Sequence, residues 1–390
     1  MVPASKRTGL LSLFLLLVVS AIWATPGQSL PLFARKYNMK CTSCHLAFPR
    51  LNAFGRQFRQ NGYRLAGDEG GSPWDDKNFP LSLVANVGAD YASTLIPAHG
   101  GIPADRTNQS QFQQNAVEFH TAGTLAPHLT FHFDSDFEGV NQGLSSGMAF
   151  LQFDDLAKGG GLNVKAGIFD ADIPYLAASR TLTMHDYLSP ITLDAEGIEL
   201  NGTHTGWTYA AAVINSGRTT GKPTSKTLNN LENLYAWVMR DVHGHEVTAR
   251  VLLDREDPRA TNKSSSKHVA VDVSSLVNFS RGTLTPAYTY EKNDDPDVDH
   301  PDKLQTGMLE GVFLLDGEGR WVAIGRYELQ HQPKNDALAV AERDFYLATV
   351  DLSYYVNPNA RIGLDYARTS SNHTDEPRVD EVQAFVHIGY

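Results

Sequence analysis

Lys267-His268-Val269-Ala270-Val271-Asp272-Val273 places Val269, Val271 and Val273 on one face of an extended chain and His268, Ala270 and Asp272 on the other. Successive side chains of a strand point to opposite faces, so this heptapeptide reads as a wall with an apolar outside and a polar inside. The same period of two returns at Thr130-Phe131-His132-Phe133-Asp134. It returns again from Arg320 to Leu329, where Trp321, Ala323, Gly325, Tyr327 and Leu329 share a face. About sixteen such segments fill the chain from Pro80 onward, the first at 81–93, the second at 112–125 and the last at 379–390. That is an even number in the range of outer-membrane barrels. The fold class expected is therefore mainly β: a transmembrane antiparallel barrel of about sixteen strands, preceded by a small helical module.

The connections support a barrel over a soluble β-sandwich. Those after odd-numbered segments are long: 94–111, 171–191, 217–231, 255–266, 292–303 and 331–342. Those after even-numbered segments are tight, as at Ala126-Pro127, Thr203-His204-Thr205, Ser280-Arg281, Gly317-Glu318-Gly319 and Asn357-Pro358-Asn359. Long extracellular loops alternating with short periplasmic turns mark an outer-membrane barrel, and a sandwich has no reason to copy them. Val382, Ala384, Val386, Ile388 and Tyr390 then end the chain on an alternating strand with a terminal aromatic, which resembles the strand by which bacterial assembly machinery recognises barrels.

Working outward, residues 1–24 read as a secretory signal, with Lys6 and Arg7 before an apolar run from Leu10 to Ile22 and Ala24 at a cleavage point. The run falls short of the roughly 20 residues a spanning helix needs. Domains are expected at 25–78 for the helical module and 79–390 for the barrel. The formal charge of −11 excludes nucleic acid as a partner. Lipid of the outer membrane is the expected surroundings.

The only two cysteines of the chain stand in Cys41-Thr42-Ser43-Cys44-His45. This is the attachment motif of c-type haem. Two thiols one turn apart can add to the porphyrin's vinyl groups, and the imidazole of His45 then ligates the iron. The alternatives are a disulfide, or a thioredoxin-like redox pair without its βαβ setting. One covalent haem c on Cys41, Cys44 and His45 is the expectation. Phe48, Leu51, Phe54 and Phe58 follow at three- and four-residue spacing, predicting one helix with an apolar stripe that Gly62 stops; the stripe suits an ordinary core as well as a haem. For the sixth ligand, Met39 is near but expected on the wrong side of the ring. His120, His132, Met148, Met184 and His185 are distant candidates.

Charge is unevenly divided. Residues 30–66 carry Arg35, Lys36, Lys40, Arg50, Arg56, Arg59 and Arg64 and no acid, a net of +7. With two more cations in the signal, the remaining chain holds 24 basic and 44 acidic residues, a net of −20. One reading seats the basic module in the mouth of an acid-lined barrel, with Glu118, Asp134, Asp136, Asp154, Glu199 and Asp365 as inward candidates. The other leaves the arginines to neutralise haem propionates.

Leu30-Pro31-Leu32-Phe33-Ala34-Arg35, Met39, Cys41 to His45, Phe48-Pro49, Leu51, Phe54-Gly55, Phe58 and Gly62-Tyr63 together resemble the start of fused outer-membrane cytochrome–porins, among them iron-oxidising monohaem cytochromes of neutrophilic and acidophilic bacteria. The motif covers only about residues 30–65; beyond it the likeness is one of architecture. The resemblance implies oxidation of extracellular ferrous iron, with a periplasmic cytochrome as electron acceptor. The competing readings are a diffusion porin whose haem segment is a sensor or plug, a conduit for another donor, and a soluble exported carrier. The acidic run from Asn293 to Asp302 is either a cation attractor or a solvated loop. No nucleophile–base triad, phosphate loop or zinc-ligand spacing has supporting context. Any enzymatic role is one-electron transfer at the haem.

Overall fold

The computed structural model describes residues 32–74, 80–98, 103–137, 144–157, 159–176, 181–185, 187–188, 194–215, 233–255, 267–294, 302–334, 341–373 and 376–389. The signal and most of the acidic run, 295–301, lie outside these residues. An N-terminal segment comes first. It holds helix α1 (Leu32–Tyr37), the one-turn helix α2 (Cys41–Cys44), strands β1 (His45–Ala47) and β2 (Arg50–Leu51), and helix α3 (Ala53–Gln60). The wall follows as β3 (Leu81–Ile96), β4 (Asp105–Ala126), β5 (Leu129–Phe137), β6 (Leu144–Ala157), β7 (Leu162–Asp170), β8 (Asp194–His204), β9 (Trp207–Ile214) and β10 (Asn233–Val242). It continues through β11 (His245–Arg255), β12 (Lys267–Phe279), β13 (Gly282–Asn293), β14 (Lys303–Leu314), β15 (Trp321–Gln332), β16 (Arg343–Asn357), β17 (Ala360–Ser371) and β18 (Arg378–Gly389).

These sixteen wall strands of the described residues form one closed antiparallel barrel in chain order, and β18 seals it against β3 with Val382 opposite Tyr91. Closure removes the unpaired edges that an open sheet would expose. The pleat follows the sequence pattern. Val271 and Val273 are 41% and 51% exposed on the outside, whereas His268, Ala270 and Asp272 are buried inside. Trp207, Phe279, Phe313 and Trp321 ring the outside near the tight-turn end. Tyr91, Phe112, Tyr288, Tyr327 and Tyr366 ring it near the other. An outward apolar band between two aromatic girdles is the surface of a barrel that sits in a bilayer.

The tight turns fall where expected, between β4 and β5, β8 and β9, β12 and β13, and β16 and β17. Thr205-Gly206 and His243-Gly244 take positive φ (47° and 75°, 54° and 82°), the left-handed pairs that match strand twist in two-residue hairpins. Two expectations change. The long connection foreseen at 94–111 shrinks, because β3 runs on to Ile96 and β4 starts at Asp105, with these two residues paired opposite each other. Above the apolar band a strand needs no hydrophobic alternation, so its extension leaves no mark in the sequence.

The second change is that described residues of the 171–191 connection enter the lumen. Ile173, Leu176 and Leu182 are fully buried. Tyr175 reaches Thr248 and Ser274 through its hydroxyl (2.9 and 2.8 Å), Arg326 donates to the His185 carbonyl (2.7 Å), and the Leu188 N–H donates to Glu328 (2.7 Å). Polar inward groups of the wall thus satisfy the backbone of a segment that also buries apolar side chains.

Candidate haem site

The N-terminal segment lies inside the barrel at its tight-turn end. Its arginines reach acids on well-separated strands. Arg50 pairs with Glu310 of β14 at 2.5 Å and donates to Tyr187 (3.2 Å). Arg56 pairs with Glu246 of β11, both side chains being 6% exposed. Arg59 meets Asp170 of β7 at 3.1 Å, and Arg64 meets Asp155 and Asp154 of β6 at 2.8 and 3.6 Å. Seating in an acid-lined lumen is therefore what these four arginines do. Of the acids foreseen, only Asp154 meets one of them. Glu118 and Asp134 hold histidines, Glu199 holds Lys165 and Asp365 holds His185.

Local chemistry shapes the motif. α2 ends at Cys44, and His45 is already extended (φ −114°, ψ 138°). The single helix foreseen from Phe48 to Phe58 is not formed. Pro49 lacks an N–H and disfavours helical backbone at Phe48, so 45–51 makes the small β1–β2 hairpin and α3 starts afresh at Ala53. Asn52 caps it by accepting from the Gly55 N–H (2.9 Å). The same side chain donates to the carbonyls of Ser43 and Thr42 (3.0 and 3.3 Å), clamping the cysteine turn onto the new helix. Gly55 permits that approach, because a Cβ there would overlap the Cys44 carbonyl oxygen. Gly62 follows α3 with φ +69°, the stop expected of it.

Cys41, Cys44, His45, Phe48, Leu51 and Phe58 line one cavity with about 1370 Å³ of empty space, part of it open to solvent. Phe33 stacks on Tyr63 (4.6 Å between centroids) and sets its edge against Phe58 (5.2 Å), giving the cavity an aromatic floor. Phe54 faces away, 42% exposed.

The donor set suits covalent haem. The thiols are not joined to each other. Burial pushes both above their ordinary pKa, and for Cys44 the neighbouring Cys41 adds to this. A thioredoxin-like pair needs the opposite shift. Nδ1 of His45 lies 3.1 Å from the Pro49 carbonyl oxygen. A carbonyl can only accept, so Nδ1 carries the proton and Nε2 the ligand lone pair.

For the sixth ligand, the structure brings Met39, His120, His132 and Met148 to this cavity. Met184 and His185 are elsewhere, with His185 between Asp365 (2.9 Å) and Glu381 (3.3 Å). The Sδ of Met148 already accepts from Arg59 (3.0 Å). His387 of β18 was not foreseen. It is buried on the cavity wall, Phe48 sets its edge 5.2 Å away, and neither ring nitrogen has a hydrogen-bond partner among the described residues. The inward parity of Gln383, Phe385 and His387 in the last strand was the available signal. Across α3 the lumen keeps a second, more polar cavity of about 1210 Å³, lined by Lys165, Asp170, Glu199 and Glu246 among others.

No protein-family model matches the sequence, and no curated protein matches it. Among solved structures the chain is similar to the outer membrane channel DcaP of Acinetobacter baumannii (12% identity, TM-score 0.59, covering 80% of this chain and 97% of that one). It is similar to an anion-selective porin from Comamonas acidovorans (11%, 0.54, 80% and 99%) and to OmpF of Salmonella typhi, solved with daunomycin (13%, 0.52, 79% and 97%). At such identity the likeness concerns the fold, and the wall of this chain is a porin-like sixteen-strand barrel.

Proposed function

We propose that this chain is a bacterial outer-membrane c-type cytochrome fused to a porin-like barrel, carrying electrons from extracellular ferrous iron to a periplasmic cytochrome. The observation that carries the reading is that Cys41, Cys44 and the tautomer-fixed His45 share one aromatic-floored cavity inside a barrel whose outer face suits lipid. A haem bound there would supply one-electron chemistry. Cys41 and Cys44 would tether it, His45 would ligate it through Nε2, and His387, on the same cavity wall, would be a further candidate ligand. Arg50, Arg56, Arg59 and Arg64 hold the segment in the lumen, where the barrel wall keeps it apart from lipid. The tight-turn end is the periplasmic end of such barrels, and a cysteine turn facing the periplasm would lie within reach of a soluble acceptor. Iron as donor comes from the resemblance of residues 30–65 to the cytochrome–porins.

A second reading, a diffusion porin whose haem segment is a plug or sensor, has the similar solved structures and the polar second cavity in its favour. A conduit for a donor other than iron uses the same haem site. The test is a pyridine haemochrome spectrum on fractionated outer membranes, then stopped-flow mixing of the purified protein with ferrous iron. A c-type spectrum with rapid reduction supports the conduit. A c-type spectrum with no reduction by iron, together with solute flux into liposomes, favours the porin. Absence of haem ends the first reading.

A further inference from the structure

The same cavity wall carries a second cluster, apart from Cys41, Cys44 and His45. His120 of β4 lies directly opposite Asp134 of β5 in the strand register, and His132 stands two residues before Asp134 on the same inward face. The imidazole and carboxylate atoms of the three lie within 4.8 Å of one another. His132 Nε2 is 3.1 Å and His120 Nδ1 3.7 Å from Asp134 Oδ2. Ligands about 2.1 Å from a common ion stand roughly 3.0–3.5 Å apart, and the two histidine–carboxylate distances lie in or close to that range.

What distinguishes the cluster from a lumen hydrogen-bond pair is its outer layer. Each of the three side chains turns one atom inward to the cluster and commits its other atom to a separate partner. His120 Nε2 is 2.8 Å from Glu118, and His132 Nδ1 is 2.7 Å from the Tyr63 hydroxyl. Asp134 Oδ1 accepts the Met148 N–H. The His132 ring is held flat between Tyr63 (5.8 Å, 27°) and Phe150 (5.3 Å, 7°). Outer partners of this kind fix the tautomer and aim of metal ligands. Strands give the cluster a rigid base.

We infer that His120, His132 and Asp134 form a binding site for a divalent first-row transition-metal ion. Two imidazoles and one carboxylate on one side of an ion, with the remaining positions open, is the donor set that suits non-haem ferrous iron. The choice of iron among such ions rests on the electron-conduit reading; the site itself does not. Tyr63 belongs to the N-terminal segment, so the site is complete only when that segment is seated.

The test is anaerobic equilibrium dialysis of the detergent-purified full chain against Co²⁺ and Fe²⁺, with Co²⁺ absorption bands reporting nitrogen ligation. One tightly held ion per chain is expected. The nearly isosteric Asp134→Asn and, separately, His120→Gln are expected to weaken it about tenfold or more, while Glu199→Gln, at the Lys165 pair, leaves it unchanged. Glu118→Gln, which keeps the fold and all three ligands, is expected to weaken it less than either. No saturable ion, or equal binding in all the variants, overturns the site. Repeating the dialysis on Cys41→Ala/Cys44→Ala protein separates the two proposals. An ion bound there without haem keeps the site whatever becomes of electron transfer, and haem reduction by iron without an ion at these residues sinks the site alone.

Discussion

The wall and the N-terminal segment are held together by different means. Every wall strand is paired on both sides, and each one-residue slip would turn its apolar set inward. Specification is therefore spread over nearly two hundred positions, and none is decisive. Among the described residues the segment makes no strand pair with the wall. It rests on four arginine–carboxylate contacts, the aromatic stack of Phe33, Phe58 and Tyr63, the Asn52 clamp, and the Tyr355 hydroxyl on the Phe48 carbonyl (2.7 Å). The lesson is that a barrel tolerates local damage where its plug does not.

The sharpest way to break this contrast is Glu246→Leu. It strands the buried Arg56 guanidinium, a loss of about 3–5 kcal/mol, all of it from the segment. Hydrogen exchange should show residues 53–60 losing protection while the strands keep theirs. Adding Arg56→Met should restore most of it, since a buried pair replaced by apolar groups is close to neutral. Wall strands that loosen in parallel would erase the distinction. Next in size is Gly55→Ala, which forces α3 off the Cys44 carbonyl at about 1–3 kcal/mol. Haem content per chain should fall while the barrel's thermal transition stays put.

The smallest effect concerns the lumen insertion between β7 and β8. Burial pulls the His185 pKa down, but Asp365 and Glu381 more than offset this and leave it above the ordinary value. A raised pKa stabilises fully below about 6.5, and the contribution is lost as pH rises through the raised value. Exchange of the Met184 amide, which donates to Asp365 (2.9 Å), should speed up beyond its intrinsic pH dependence on going from pH 6 to 9. A pH-independent protection factor would refute it.

The wall was legible in the sequence because its rule is a period of two with one oily face, and Val269, Val271 and Val273 state it within seven residues. That Cys41, Cys44 and His45 line one cavity was legible because they are neighbours in the chain. What stayed hidden was which inward polar residue meets which partner. His132 and His387 occupy equivalent inward positions, yet among the described residues one is bonded on both nitrogens and the other on neither. That depends on where a distant segment comes to rest. The inward course of Ile173, Leu176 and Leu182 was hidden for the same reason, since a stretch between strands reads alike whether it meets water or a polar wall.

The seat of the cysteine turn is built from the far end of the chain. Cys41 donates to Asn359 through its sulfur (3.1 Å), a residue 318 positions on, and Phe48 rests against Gly389 and His387. That seat is therefore complete only when the last strands of the wall are in place, so the segment's docking depends on the closure of the barrel.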